Sequence, residues 1–255
     1  DGVYATPGDA SAPMIWLATY AFAMQIYCDF SGYTDIARGV AKLLGFDLIH
    51  NFNLPYFARD PRDFWRRWHI SLSEWLRDYL YIPLGGGRGT QRRLFFNLMV
   101  TMILGGLWHG AAWNFVLWGL FHGLLLVGYR IAHGLKPDTW NPGRLHKTFS
   151  LLLMFHWVCF GWLLFRLESI RDLPVMLCRL VTEWDFSGGV GAALAALAGY
   201  SALVIIIQFT QYLKKDLLVV QRFPAWLRVA LYVVMYFSLT IGGAFDGRQF
   251  IYFQF

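Results

Sequence analysis

Five stretches of this 255-residue chain contain no Asp, Glu, Lys or Arg: residues 10–28, 94–129, 148–165, 186–213 and 229–245. A helix that crosses a membrane needs roughly 20 predominantly apolar residues to span a hydrocarbon core of about 30 Å. Four of the runs suit one crossing each. The run 94–129 is 36 residues long, about 54 Å as a single helix at ~1.5 Å per residue. It is too long for one crossing and must fold back, with Gly105-Gly106 and His109-Gly110 as the expected break. The fold class is therefore all-α, a polytopic helical membrane protein with about six membrane segments. Composition agrees: 57% of residues are hydrophobic and only 15% charged, with mean hydropathy +0.42. Soluble domains carry about 25% charge. A disordered chain is excluded, and an ordinary soluble enzyme is disfavoured. Aromatics reach 18%, including 12 Trp, which suits contact with lipid headgroups.

The basic residues sort by loop. Residues 29–93 hold 10 Lys/Arg, 130–147 hold 4 and 214–228 hold 4. If 94–129 is a hairpin, these three loops fall on one side, with 18 of the 22 Lys/Arg, and the positive-inside rule makes that side cytoplasmic. The net charge of +6 then belongs to membrane topology, with lipid and not nucleic acid as partner. Asp1 is not a start methionine, and residues 1–13 lack a basic and then apolar signal-peptide pattern. The chain reads as one membrane-embedded domain over 1–255, the C-terminal part of a longer protein.

Residues 50–93 are polar by position yet rich in aromatics, among them Phe52, Tyr56, Phe64, Trp65, Trp68, Trp75 and Tyr79. Asp60-Pro61 offers an N-cap followed by proline at the first helical position. Ser71-Leu72-Ser73-Glu74 has the form of a capping box. Leu72, Trp75, Leu76, Tyr79 and Leu80 then follow a helical apolar stripe, which Pro83 and Gly85-Gly86-Gly87 end. Two short interfacial or re-entrant helices are expected at the cytoplasmic boundary, with His69 at their joint. The glycine run lacks the Gly-Lys-Ser/Thr ending of a phosphate loop and reads as a turn.

Seven histidines are the main titratable candidates. His50, His133 and His146 read as loop residues. His122 and His156 lie in membrane runs, where a polar residue is either functional or a neutral ring bonded to a neighbouring helix. His109 sits in Leu104-Gly105-Gly106-Leu107-Trp108-His109-Gly110, at the turn of the expected hairpin. Its position suits a general base working near pH 7, or structural packing. Asp29 and Asp35 are either buried network residues or interfacial charges. The three cysteines, Cys28, Cys159 and Cys178, are too few and scattered for a disulfide framework or zinc site. No G-x-S-x-G, H-E-x-x-H, C-x-x-C or Walker pattern occurs, and no metal site is expected.

Longer motifs add a resemblance. Asp63-Phe64-Trp65-Arg66-Arg67-Trp68-His69-Ile70-Ser71-Leu72-Ser73 and Trp75-Leu76-Arg77-Asp78-Tyr79-Leu80-Tyr81-Ile82-Pro83-Leu84-Gly85-Gly86 closely resemble the membrane-bound O-acyltransferase (MBOAT) family. So do Gly105-Gly106-Leu107-Trp108-His109-Gly110-Ala111, Gln25-Ile26-Tyr27-Cys28-Asp29-Phe30-Ser31-Gly32-Tyr33 and the tail Phe250-Ile251-Tyr252-Phe253-Gln254-Phe255. The resemblance is to the bacterial branch that acetylates alginate or D-alanylates teichoic acid, and the 63–86 segment is closer to the alginate type.

The resemblance implies a helical disc with a tunnel, in the bacterial cytoplasmic (inner) membrane. It implies His109 as the essential histidine and His69 as the second active-site position; substrate-binding residues stay unassigned. It implies acyl transfer without a bound cofactor, with acetyl-CoA as donor and an exported polysaccharide or a periplasmic acetyltransferase partner as acceptor. D-alanyl transfer to teichoic acid is the alternative inside the family. Outside it stand a polysaccharide transporter or channel with histidines on a proton path, and a haem electron carrier ligated by His122 and His156.

Overall fold

The structure is a computed structural model that describes residues 2–135 and 142–243; the tail motif 250–255 lies outside the described residues. Every regular element among those residues is helical. A single turn, α1 (Gly2–Ala5), precedes the long α2 (Ala12–Leu43). Two short helices follow, α3 (Pro61–Trp65) and α4 (Ile70–Leu76). Then come α5 (Gln91–His109), α6 (Trp113–Gly134), α7 (Arg144–Arg166), α8 (Leu173–Thr182), α9 (Val190–Lys214) and α10 (Ala225–Gly242). The chain divides into two compact units, residues 1–197 and 198–255.

The six expected segments correspond to α2, α5, α6, α7, α9 and α10. Four of these, α6, α7, α9 and α10, are long and apolar enough to cross a membrane by length and composition. The other two depart from the simple expectation. α2 continues past its charge-free run for 32 residues in all and carries Asp29, Asp35, Arg38 and Lys42 in its second half. Its length is about 48 Å at ~1.5 Å per residue. α5 has 19 residues and spends its first turn on Gln91-Arg92-Arg93.

The run 94–129 does fold back. The break, however, is not at Gly105-Gly106. α5 runs through both glycines and ends at His109, and only Gly110–Ala112 form the turn. The glycines serve helix contact instead. A Cβ on Gly106 would sit 2.2 Å from the Phe115 carbonyl oxygen, and one on Gly119 would sit 2.3 Å from that of Met102. Gly123 faces Met99 in the same register. Bare backbone on both helices lets them approach closely, as small residues do between membrane helices. The pairings run in opposite directions along the two helices, so the basic start of α5 lies beside the end of α6. α7 returns antiparallel to α6, with His122 against Gly161 and Asn114 against Phe165.

In the second unit, a 3-10 turn (Val219–Arg222) joins the end of α9 to α10. Arg222 pairs with Asp216 at 2.8 Å, and the Gln211 amide donates to the Leu217 carbonyl at 2.8 Å.

Gly119→Ala should therefore force α5 and α6 apart. Overpacking of this kind costs roughly 1–3 kcal/mol. Gly128→Ala, on the same helix with nothing within 4 Å, should be neutral. Thermal unfolding of the detergent-solubilised protein should separate the two variants, and equal melting would refute the close-packed hairpin.

Candidate active site

The segment 60–87 is a re-entrant hairpin. It starts beside the basic end of α6, descends to mid-helix, and returns along α5. The inbound arm opens as the sequence indicates. Asp60 Oδ1 accepts from the backbone N–H groups of Arg62 and Asp63, both at 2.9 Å, and Pro61 occupies the first helical position. The Tyr129 hydroxyl donates to Asp60 Oδ2 at 3.2 Å and accepts from Arg62 Nη2 at 3.2 Å. The Arg62 guanidinium also lies 4.9 Å from the centre of the Tyr129 ring. Deeper in, Phe64 stacks on His122 at 5.9 Å, Trp65 meets Trp118 at 5.7 Å, and Trp68 meets Trp162 at 4.8 Å. From Tyr129 to Trp118 is eleven residues of α6, a descent of about 16 Å at 1.5 Å per residue.

His69 is the turning point. Its backbone is left-handed, φ 41°, a conformation uncommon outside glycine. The reversal is held by the preceding segment. The Asn51 carbonyl accepts from Ile70 N–H at 3.1 Å, and the Asn51 side-chain oxygen accepts from Ser71 N–H at 3.0 Å. Asn53 N–H donates to the Arg67 carbonyl at 3.0 Å, and Arg67 pairs with Asp63 at 2.7 Å.

The expected capping box is thus corrected. α4 begins at Ile70 with His69 at the cap position and without a side-chain cap. Ser71 is already inside the helix, and Asn51 supplies the acceptor from a distant part of the chain. The expected apolar stripe is also mostly outward. Leu76 is buried against Gly105, whereas Trp75 and Tyr79 are exposed. A π-turn (Arg77–Tyr81) ends the regular helix before Pro83 and the glycine turn. The Asn97 amide donates to the Gly86 carbonyl at 3.0 Å, and Arg93 donates to Leu84 O at 3.1 Å, anchoring the returning arm to α5.

The hairpin brings the two sequence-predicted histidines to one place. His69 is buried, its ring edge-on to Phe30 at 4.6 Å. His109, half-buried at the end of α5, meets Trp118 at 5.2 Å and Phe165 at 5.1 Å. Trp108 touches both, 6.1 Å from His69 and 5.0 Å from His109.

Sequence reasoning missed the frame around His109. Asn114, buried at the start of α6, donates from Nδ2 to the carbonyls of Phe165 at 3.0 Å and Leu167 at 3.1 Å. It thereby satisfies the end of α7 and fixes Phe165 against His109. One of only two side-chain amides, with Asn97, in a 36-residue run without charge was the available signal. Gly110 admits the Phe115 ring, which a Cβ would meet at 2.6 Å.

The remaining candidates lie elsewhere. Arg38 donates to His50 Nε2 at 2.8 Å and pairs with the exposed Asp35 at 3.2 Å. Asp29 is half-buried on α2. His133 is exposed beside Tyr129, and His146 is exposed. His122 Nε2 faces Gly161, whereas His156 bonds the Leu152 carbonyl and lies against Trp16 and Tyr20. The structure does not bring His122 and His156 together as a ligand pair. Among the described residues no group of three or more His, Cys, Asp or Glu could hold a metal ion.

A multi-pass helical membrane fold, with His69 at the turn of a re-entrant hairpin and His109 at the end of α5 on either side of Trp108, defines the class, and comparison with known proteins identifies the family. The sequence model of MBOAT, the membrane-bound O-acyltransferase family, matches residues 4–161, and the chain belongs to that family. It is 49% identical over 210 residues to the probable alginate O-acetylase AlgI of Azotobacter vinelandii, covering 81% of this chain and 40% of that protein. It is 40% identical over 167 residues to the peptidoglycan O-acetyltransferase of Helicobacter pylori, covering 65% and 31%. It is 34% identical over 159 residues to the teichoic acid D-alanyltransferase of Bacillus subtilis, covering 58% and 40%. The chain spans less than half the length of each.

Asn51→Ala should lower stability by roughly 0.5–2 kcal/mol, the usual cost of a lost helix-start acceptor. Ser71→Ala should be close to neutral, since the Asn51 bond uses only the Ser71 backbone. Denaturation midpoints of the two variants test this, and a greater loss in Ser71→Ala would restore the capping-box reading.

Proposed function

We propose that this chain is the acyl-transfer portion of a membrane O-acyltransferase. It moves an acetyl group from a cytoplasmic thioester donor, acetyl-CoA, towards an exported polysaccharide such as alginate, either directly or through a periplasmic acetyltransferase partner. The observation that carries the reading is the meeting of His69 and His109 around Trp108, from elements forty residues apart. The identity to an alginate O-acetylase over 81% of the chain supports the acetyl group and the polysaccharide class.

The chemistry follows from the residues. His109 acts as general base, taking the proton of the acceptor hydroxyl as its oxygen attacks the thioester carbonyl. The C–S bond breaks, an ester forms, and the thiolate leaves with the proton available from His109. His69 orients the reacting groups. Arg59, Arg62, Arg88, Arg92 and Arg93 make the mouth of the hairpin basic and suit the phosphates of a CoA donor. The protein resides in the bacterial cytoplasmic membrane with this basic end inside. Residues 1–255 act as one membrane-embedded domain of a longer chain.

D-alanyl transfer to teichoic acid is the second reading, favoured by the 34% identity to the B. subtilis enzyme. Dependence on an acyl-carrier protein in place of a soluble thioester would select it.

In the full-length protein, His109→Ala should reduce acetyl ester on exported polymer by about 10²–10⁴-fold per unit of membrane protein, the usual share of a general base. His69→Ala should also cripple transfer. Residues acting as one unit are non-additive, so the double variant should be scarcely worse than His109→Ala. His133→Ala should match wild type. Near-normal acetylation in His109→Ala would overturn the assignment.

Topology has its own test. Single cysteines at Arg88 and Arg144, on a background lacking Cys28, Cys159 and Cys178, should label from the same, cytoplasmic side. Labelling from opposite sides would refute the orientation.

A further inference from the structure

Among the described residues, three buried nitrogens in three touching rings have no hydrogen-bond partner. Trp65 reaches in from α3, and Trp118 and His122 lie one turn apart on α6. Their ring centroids are 5.7 Å (Trp65–Trp118), 5.2 Å (Trp65–His122) and 4.8 Å (Trp118–His122) apart. Trp118 is 2% exposed and His122 1%. Nε1 of Trp65, Nε1 of Trp118 and Nδ1 of His122 are inaccessible and make no hydrogen bond among the described residues. Nε1 of Trp162, whose ring contacts Trp118 at 6.3 Å, is likewise inaccessible and makes no hydrogen bond among the described residues. The other nitrogen of His122 faces the backbone at Gly161, where a Cβ would come within 2.7 Å. Nδ1 is therefore the outstanding polar atom of that ring.

Buried polar groups in folded proteins are bonded to something. An indole N–H can only donate, while an imidazole nitrogen donates or accepts. Two fixed donors and one adaptable group require an acceptor. The rings packed on the cluster include Phe64, Phe121 and Trp162. Burying an anion in such an aromatic layer carries a high desolvation cost, which favours an uncharged acceptor. A buried water commonly makes about three hydrogen bonds, which matches the three groups.

We propose that Trp65, Trp118 and His122 form a binding site for one uncharged oxygen acceptor: a buried water or the carbonyl oxygen of a thioester. The site lies one ring from His109, since Trp118 contacts both His122 and His109, the latter at 5.2 Å. Bound water would lock the Trp118 ring that packs on His109 and make all three side chains positioning residues. Bound carbonyl would make the two indoles contacts of the acyl donor, and only this arm rests on the proposed acyl transfer.

The test uses the purified full-length protein and ultraviolet resonance Raman spectroscopy, which reports indole N–H bonding. Difference spectra against Trp118→Phe and Trp65→Phe isolate the two indoles. Both should show the hydrogen-bonded signature. If it is present without ligand and unchanged by acetyl-CoA, the occupant is water. If it appears or shifts only with acetyl-CoA, the occupant is the carbonyl. A free N–H signature from either indole under both conditions overturns the site. Should a variant fail to fold, a wild-type density map fine enough to show ordered water decides instead. A peak within about 3.2 Å of all three nitrogens, with or without acetyl-CoA, is expected, and no peak in either map overturns the proposal. Bonded indoles in a protein without acyltransfer activity would refute the proposed function while leaving the water site intact.

Discussion

Backbone that dips towards the middle of a membrane and returns must carry its hydrogen-bond partners with it, because hydrocarbon supplies none. The site of this protein depends on that constraint. The hairpin 60–87 is too short and too sharply reversed to satisfy itself as one helix. Side chains satisfy it from outside: Asp60 at the start, Asn51 at the reversal and Asn97 at the return. Asn114 does the same for the end of α7, accounting for two carbonyls with one amide. The three asparagines are short and uncharged, so each reaches a backbone group without bringing a charge into an apolar layer, and the Asp60 carboxylate is paired with Arg62.

The second requirement is lateral space. A re-entrant arm fits beside α5 and α6 only if those helices are themselves closely packed, and Gly106 and Gly119 allow that. Gly161 performs the matching service on α7 by accepting the edge of His122. The remaining volume is filled by large rings at angles typical of edge and offset contacts. Rings suit this role because they bury much area while losing little conformational freedom. They also surround the histidines with low-polarity surface, so any polar group placed there meets few competitors for its hydrogen bonds.

Much of the fold was legible because charge is costly in hydrocarbon. The charge-free runs located the six long segments, and the 36-residue run required a hairpin. The Asp60-Pro61 cap was equally legible, since donor and acceptor are neighbours in sequence. Ser71 misled because its pattern is local whereas the actual acceptor, Asn51, lies twenty residues away. Gly105-Gly106 misled because glycine signals two different things. In water it marks a turn, but between membrane helices it marks contact. The stripe Leu72, Trp75, Leu76, Tyr79 and Leu80 had the right period, but period alone does not say what an apolar face meets. His69 and His109 were singled out through the family resemblance, and the structure places Trp108 against both.

The placement of His109 follows from these constraints together. α5 spends its first turn on Gln91-Arg92-Arg93 and ends after 19 residues, with only Gly110–Ala112 before α6 begins, so His109 lies at the closed end of the α5–α6 hairpin. Gly110 then leaves the helix in an extended conformation and makes room for Phe115, which closes over the end of α5. Asn114 ties that turn to the end of α7 and brings Phe165 to the other side of the imidazole. A side chain at position 110 would displace Phe115. Helix length, a bare backbone position and one buried amide therefore set the location of the ring, and the re-entrant arm brings His69 to meet it.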